Sequence, residues 1–233
     1  MRPAGSNLLV VVGIDGSGRT HRLVDGTEGR ATMALHPDQA GDEVADLLGS
    51  ARDTDALLLA DDADLLAADV LALLVDAVRS GQSLRMSRRP VVGTPALGRL
   101  DALVAAGGDV VELDPLDAAG VGTMLARIRG APVDPAEAES LWHASAGLPV
   151  YVAAAGPASG SSSGRVRARI SHQLGRIGAH HQRLLELLAL SGEVDRGARD
   201  DVLARAIDTD RHGLSTALSA LRLAGLLVPG TDD

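Results

Sequence analysis

The octapeptide Gly13-Ile14-Asp15-Gly16-Ser17-Gly18-Arg19-Thr20 follows the apolar run Leu8–Val12 and precedes a helical pattern. Glycines at such a bend let backbone N–H groups turn inward around phosphate oxygens, and a following helix start adds a favourable dipole. Thr20 stands where a hydroxyl would coordinate magnesium. Gly13, Asp15, Gly16, Ser17, Gly18, Arg19 and Thr20 therefore form a candidate phosphate-binding set. The plain alternative is an ordinary glycine-rich turn between strand and helix. Arg19 fills the position at which the pattern G-x-x-x-x-G-K-[ST] has Lys. Lys is a compact point charge, whereas guanidinium is a broad planar fork. Binding is expected to survive that exchange with altered geometry. Hydrolysis, which needs tight placement of the transferred group, is expected to be slow or absent.

A second motif, Leu57-Leu58-Leu59-Ala60-Asp61-Asp62, is an apolar strand ending in paired carboxylates. One such carboxylate can hold magnesium directly or through water, and the next can orient an attacking water. Asp61 is the metal-side candidate and Asp62 the catalytic one. An acidic strand end alone is a commonplace solvated turn. Its weight comes from lying ~40 residues after the phosphate loop, a normal spacing for this architecture.

To hold these two motifs together, a strand must end at Gly13 and another at Asp61. From Asn7 to Leu113, short apolar runs alternate with amphipathic stretches. The runs are Leu8–Val12, Ala31–Leu35, Ala56–Ala60, Pro90–Gly93 and Asp109–Leu113. Helical patterns cover Ala40–Leu48, Leu65–Val78 and Leu97–Ala105, with a short helix expected after Thr20 because Gly26 and Gly29 follow soon. Continuous apolar strands read as buried on both faces, so the expectation is an α/β domain over residues 1–114. Its parallel, doubly wound sheet has about five strands with helices on both faces.

A helical block is expected over 115–155. Asp117 reads as one N-cap, and Asp134 with Pro135 and Glu137 as another; Gly147 reads as a left-handed cap. Residues 156–164, GPASGSSSG, have the composition of a linker, with a surface loop as the alternative. Over 165–233, three helices and a terminal run Leu226–Val228 suggest a winged helix. The chain stops where a wing hairpin would return, which suggests a piece of a longer protein. Acidic residues crowd Asp38–Asp76, whereas Arg165–Arg183 carries Arg and no acid. Arg165, Arg167 and Arg169 form a basic patch suited to nucleic acid or to the acidic part of the same chain.

Composition excludes several classes. The 233 residues include no Cys, which removes disulfides, thiolate metal sites and thiol nucleophiles. One Trp, one Tyr and no Phe argue against platforms that stack single-stranded bases. The net charge of −9 argues against a main DNA reader, and all the basic residues are Arg. No apolar run approaches the ~20 residues that span a bilayer, and no leader is evident, so no membrane partner and a cytoplasmic location are expected. His180 and His181 are adjacent and cannot form an i, i+4 metal pair. His212 reads as an exposed helix start, and Trp142 and Tyr151 as packing residues.

With these residues in view, the chain resembles a known family. Gly13–Thr20 resembles a Walker A loop and Leu57–Asp62 a Walker B strand. Ser145-Ala146-Gly147-Leu148-Pro149-Val150-Tyr151 is similar to the Gly-x-Pro segment of signal-transduction ATPases with numerous domains, the STAND branch of the AAA+ proteins. The order and spacing resemble the ATPase modules of large LuxR-type bacterial transcriptional regulators across nearly the whole chain. The resemblance implies an AAA+-like P-loop fold that binds ATP or ADP with Mg2+ as a switch. It places Pro149 against the adenine, bridging nucleotide to the helical block, and Thr94 near the polar sensor position. It also implies DNA contact through other domains of a longer protein, and self-association or a protein partner. Three departures stand out: Arg19 for Lys, Asp62 for Glu, and almost nothing before the first strand. Two other functions stay open, a nucleotide-free interaction scaffold and an active ATPase using Arg19 in place of Lys.

Overall fold

The computed structural model describes residues 7–90, 94–156, 170–171, 174, 177–191 and 196–227. The chain forms two units, Met1–Asp114 and Pro115–Asp233. In the first unit, strands β1 (Leu8–Gly13), β2 (Thr32–Leu35), β3 (Leu57–Ala60), β4 (Leu84–Arg88) and β5 (Asp109–Leu113) form one parallel sheet in the order β2-β3-β4-β1-β5. Helices α1 (Arg19–Val24), α2 (Gly41–Asp53), α3 (Ala68–Arg79) and α4 (Pro95–Gly107) make the crossovers.

Side chains alternate across each strand and so assign the faces. Leu8, Val10, Leu58, Ala60, Leu84 and Met86 point into one core with Val44 and Leu48 of α2, Leu71 and Leu74 of α3, and Leu97 and Leu100 of α4. Leu57 and Leu59 point the other way, onto Leu23 of α1. Helices thus cover both faces, and with no Phe in the chain the packing is almost wholly aliphatic.

Two strands differ from expectation. The fourth strand is Leu84–Arg88 rather than Pro90–Gly93; Pro90 lies beyond it, and residues 91–93 lie outside the described residues. Its apolar positions alternate with polar ones that find partners inside the fold. The Arg85 guanidinium donates to the carbonyls of Leu23 (3.2 Å) and Asp25 (2.6 Å), and so caps the six-residue α1. The fifth strand forms the sheet edge, where Val110 is half exposed rather than buried on both faces.

In the second unit, α5 (Ala118–Arg129) and α6 (Pro135–Ser145) begin at the expected carboxylate caps. Asp117 accepts from Gly120 N (2.7 Å) and Asp134 from Ala136 N (2.9 Å). With α7 (Pro149–Ala155), they bury Val121, Leu125, Leu141, Leu148, Tyr151 and Val152. The turn closing α6 is left-handed at Ala146 (φ 49°) as well as at Gly147 (φ 71°), one residue earlier than expected. Helices α8 (Ala179–Ser191), α9 (Arg196–Ala206) and α10 (Arg211–Leu223) surround Leu184, Leu203, Ile207, Leu214 and Leu221. The expected terminal strand is not found among the described residues: Leu226 and Leu227 form a bend packed on this cluster, and Val228 lies outside them. Residues 157–164 and Arg165, Arg167 and Arg169 also lie outside the described residues. Among the described residues, no helix is long and apolar enough to cross a membrane.

Candidate nucleotide site

Ligands of open parallel sheets bind outside the carboxyl ends of the strands. At that end, β1 runs into the Gly13–Thr20 loop, β3 into Asp61–Asp62, and β4, which lies between them, supplies Ser87. Gly16 (φ 85°) and Gly18 (φ 93°) take the left-handed conformations that turn the loop. A Cβ at Gly13 would land on the Ser17 hydroxyl, which would have to turn away from its position inside the loop. That hydroxyl is 95% buried by residue exposure and is one of two buried side-chain polar atoms without a hydrogen-bond partner among the described residues. An orphaned buried donor costs about 1–3 kcal/mol, a deficit that a phosphate oxygen in the loop would relieve. Because α1 has only six residues, its dipole adds little, and the buried Ser17 hydroxyl carries the fit.

Thr20 and Asp61 meet directly, the hydroxyl donating to Asp61 Oδ2 at 2.6 Å. Ser87 is fully buried; its hydroxyl donates to the other oxygen of Asp61 and accepts from the Asp62 N–H (3.1 Å). The chain Thr20–Asp61–Ser87–Asp62 thus ties α1, β3 and β4 together. Magnesium is usually held by one or two protein oxygens plus substrate phosphates. Thr20 and Asp61 fit that sparse donor set, and no cluster of three or more acidic, His or Cys ligands exists among the described residues.

Arg19 folds back over its own loop. Its guanidinium donates to Gly13 O (2.7 Å), Asp15 Oδ1 (3.0 Å) and Asp62 Oδ1 (2.5 Å), and only 8% of the side chain is exposed. The Asp15 carboxylate is therefore engaged with Arg19 within the loop. Asp62 itself is held in a left-handed conformation (φ 49°, ψ 47°), uncommon for a residue with a side chain, at the start of a 3-10 turn over Ala63–Leu65. The Asp64 side chain in that turn is buried and accepts from Arg89 N (3.0 Å) and Nε (2.7 Å), which fixes the turn to the end of β4.

Burial raises the Asp62 carboxyl above its ordinary pKa of 3.8, and the charges of Asp61, Asp15 and Asp64 raise it further against the opposing pull of Arg19. An acid whose pKa is higher in the folded chain than in the unfolded one disfavours the fold as it ionises. Its contribution is most favourable below pH 3.8 and declines as pH rises through the higher folded value. Asp62→Asn removes this dependence. The expected melting profile is flatter from pH 3.8 upward than that of the parent; parallel profiles for the two proteins would contradict the assignment.

Of the remaining expected site residues, Thr94 caps α4 by accepting from Leu97 N at 3.3 Å. Pro149 is the first residue of α7 in the second unit. The polar side chain that reaches the carboxylate pair from the neighbouring strand is Ser87, which the sequence patterns did not single out. The register Ala60↔Met86 is what sets Ser87 beside Asp61.

No protein-family model and no curated protein sequence matches the chain. Among solved structures, it is similar to a Walker-type ATPase of Pyrococcus abyssi at TM-score 0.59 and 14% identity, over 97% of this chain and 87% of that one. It is similar to a RuvB mutant of Thermotoga maritima at TM-score 0.55 and 15% identity, over 96% and 82%. A STAND protein of Pyrococcus horikoshii with a tetratricopeptide-repeat sensor aligns at TM-score 0.45 and 14% identity, over 97% of this chain and 38% of that one. At these identities the first two likenesses speak to fold alone: the chain has the α/β fold of P-loop ATPases.

Proposed function

We propose that this chain is a nucleotide-binding switch module that takes ATP or ADP with Mg2+ at Gly13–Thr20 and hydrolyses it weakly or not at all. The observation that carries the reading is the buried, unpartnered Ser17 hydroxyl inside a glycine loop, beside the Thr20–Asp61–Ser87 chain. A divalent cation held there would neutralise phosphate charge. Thr20 and Asp61 would orient it, while Ser87 keeps the Asp61 carboxylate in place. Weak hydrolysis is read from position 19 itself, where a broad guanidinium fork does not place a transferred phosphoryl group as a compact Lys ammonium would.

On the family resemblance alone, the proposal keeps Pro149 at the adenine, Thr94 at the sensing position, and a LuxR-type regulator as the setting. It also keeps a winged helix over 165–233 after a helical block (115–155) and a linker (156–164). A nucleotide-free scaffold is favoured instead by one observation, the Arg19 guanidinium lying within the loop. To decide, the purified protein is denatured and the supernatant assayed for nucleotide, with calorimetric titration of ADP and ATP in magnesium. Released nucleotide or saturable binding supports the switch, and no binding at millimolar nucleotide supports the scaffold.

A further inference from the structure

The Arg19 Nη2, whose two N–H groups go to Asp15 and Asp62, can take a phosphate only by exchanging one of them. Its guanidinium is almost wholly buried, with one terminal nitrogen on Gly13 O and the other shared by Asp15 and Asp62. The two carboxylates are far more open, with side chains 39% and 41% exposed, so each is readily hydrated when its partner leaves. Asp15 also lies within the loop, where its charge opposes any incoming anion.

We propose that Asp15 sets the phosphate affinity of this site. With Asp62 it latches Arg19 across the loop, and a magnesium-bound phosphate chain binds by drawing Arg19 away from Asp15. The inference rests on the nucleotide reading and adds its regulation: the loop is held closed by an internal ion pair. Phosphate binding would break that pair and free Asp62 of Arg19 at the same moment. Asp62 starts the turn that Asp64 and Arg89 fix to β4, so the exchange would be felt at the ends of two strands.

A double-mutant cycle separates this latch from simple charge repulsion. Magnesium pyrophosphate is titrated calorimetrically, at constant ionic strength, into the parent, Asp15→Asn, Arg19→Gln and the double variant. Repulsion between Asp15 and phosphate is present with either residue at position 19, whereas the broken pair exists only with Arg. The expected result is that Asp15→Asn tightens binding about tenfold in the parent and about twofold in the Arg19→Gln background. Equal gains in both backgrounds, or no gain, overturn the latch. If Arg19→Gln abolishes binding outright, Arg19 contacts phosphate in the complex; a gain near tenfold from Asp15→Asn in the parent then supports the exchange, and the about twofold gain of repulsion alone overturns it. Binding by Asp15→Asn but not by the parent would end the nucleotide reading for the parent chain, and would uphold the latch only if Arg19→Gln and the double variant bind alike. Binding by the parent with equal gains would do the reverse, and no binding by any of the four would overturn both.

Discussion

Replacing Gly147 by Ala is expected to lower the unfolding free energy of the helical unit by about 3 kcal/mol or more. Two costs combine. Gly147 has φ 71°, where an alanine is disfavoured by roughly 1–2 kcal/mol. A Cβ there would also run into the backbone of Leu116, meeting its carbonyl oxygen and coming within 3.0 Å of its nitrogen. Backbone cannot swing aside as a long side chain can, and Leu116 N is itself bonded to Gly147 O at 2.9 Å. Relief would have to break that bond or move α5 from α6. Gly130 serves as the control: it has φ 68° but nothing within 4 Å of its Cβ position, so Gly130→Ala should show only the conformational cost. Trp142, the one tryptophan, accepts from Gly147 N at 3.3 Å and reports locally in denaturant titrations. Equal losses for the two variants would show that the Leu116 contact does not matter. The glycine of the Gly-x-Pro segment thus has a steric reason to be glycine that involves no nucleotide at all.

Legibility in the sequence followed how local each cause is. β1 and β3 are continuous aliphatic runs with both faces covered, and the helix starts at Asp117 and Asp134 are short-range capping patterns, so both kinds of element can be read directly. β4 cannot. Leu84-Arg85-Met86-Ser87-Arg88 looks like a half-solvated segment until Arg85 meets the end of α1 and Ser87 meets Asp61. The apolar Pro90–Gly93 run is the stronger local signal for a strand. The candidate site divides the same way. The glycine loop and the Asp61–Asp62 pair are contiguous motifs, whereas Ser87 joins them only through the parallel register of β3 and β4. Arg19 was legible as an anomaly, but its bonds to Asp15 and Asp62 depend on the loop's closure and on the left-handed turn at Asp62.

Asp61→Asn is the substitution expected to weaken magnesium-dependent binding most, by about 10–100-fold for ADP with magnesium, the range for residues that hold or orient metal ligands. Without magnesium, in excess chelator, ADP affinity should change by less than about threefold. The asymmetry follows from what Asp61 accepts. Thr20 donates to one of its oxygens and Ser87 to the other, because an ionised carboxylate can only accept. An amide has only one acceptor oxygen, so either Thr20 or Ser87 would face an N–H2 group with nothing to accept its proton. If Thr20 loses its partner, the hydroxyl that would face the metal is no longer oriented. If Ser87 does, the tie to the Asp62 backbone loosens instead. The lost negative charge adds to the first effect only when a cation is bound, and without one it slightly favours the nucleotide anion. Calorimetric titrations with and without magnesium measure both affinities on one protein. Equal losses in the two conditions would make Asp61 a strut of the loop rather than its metal side. Unchanged affinity with magnesium would detach the Thr20–Asp61 pair from nucleotide binding altogether.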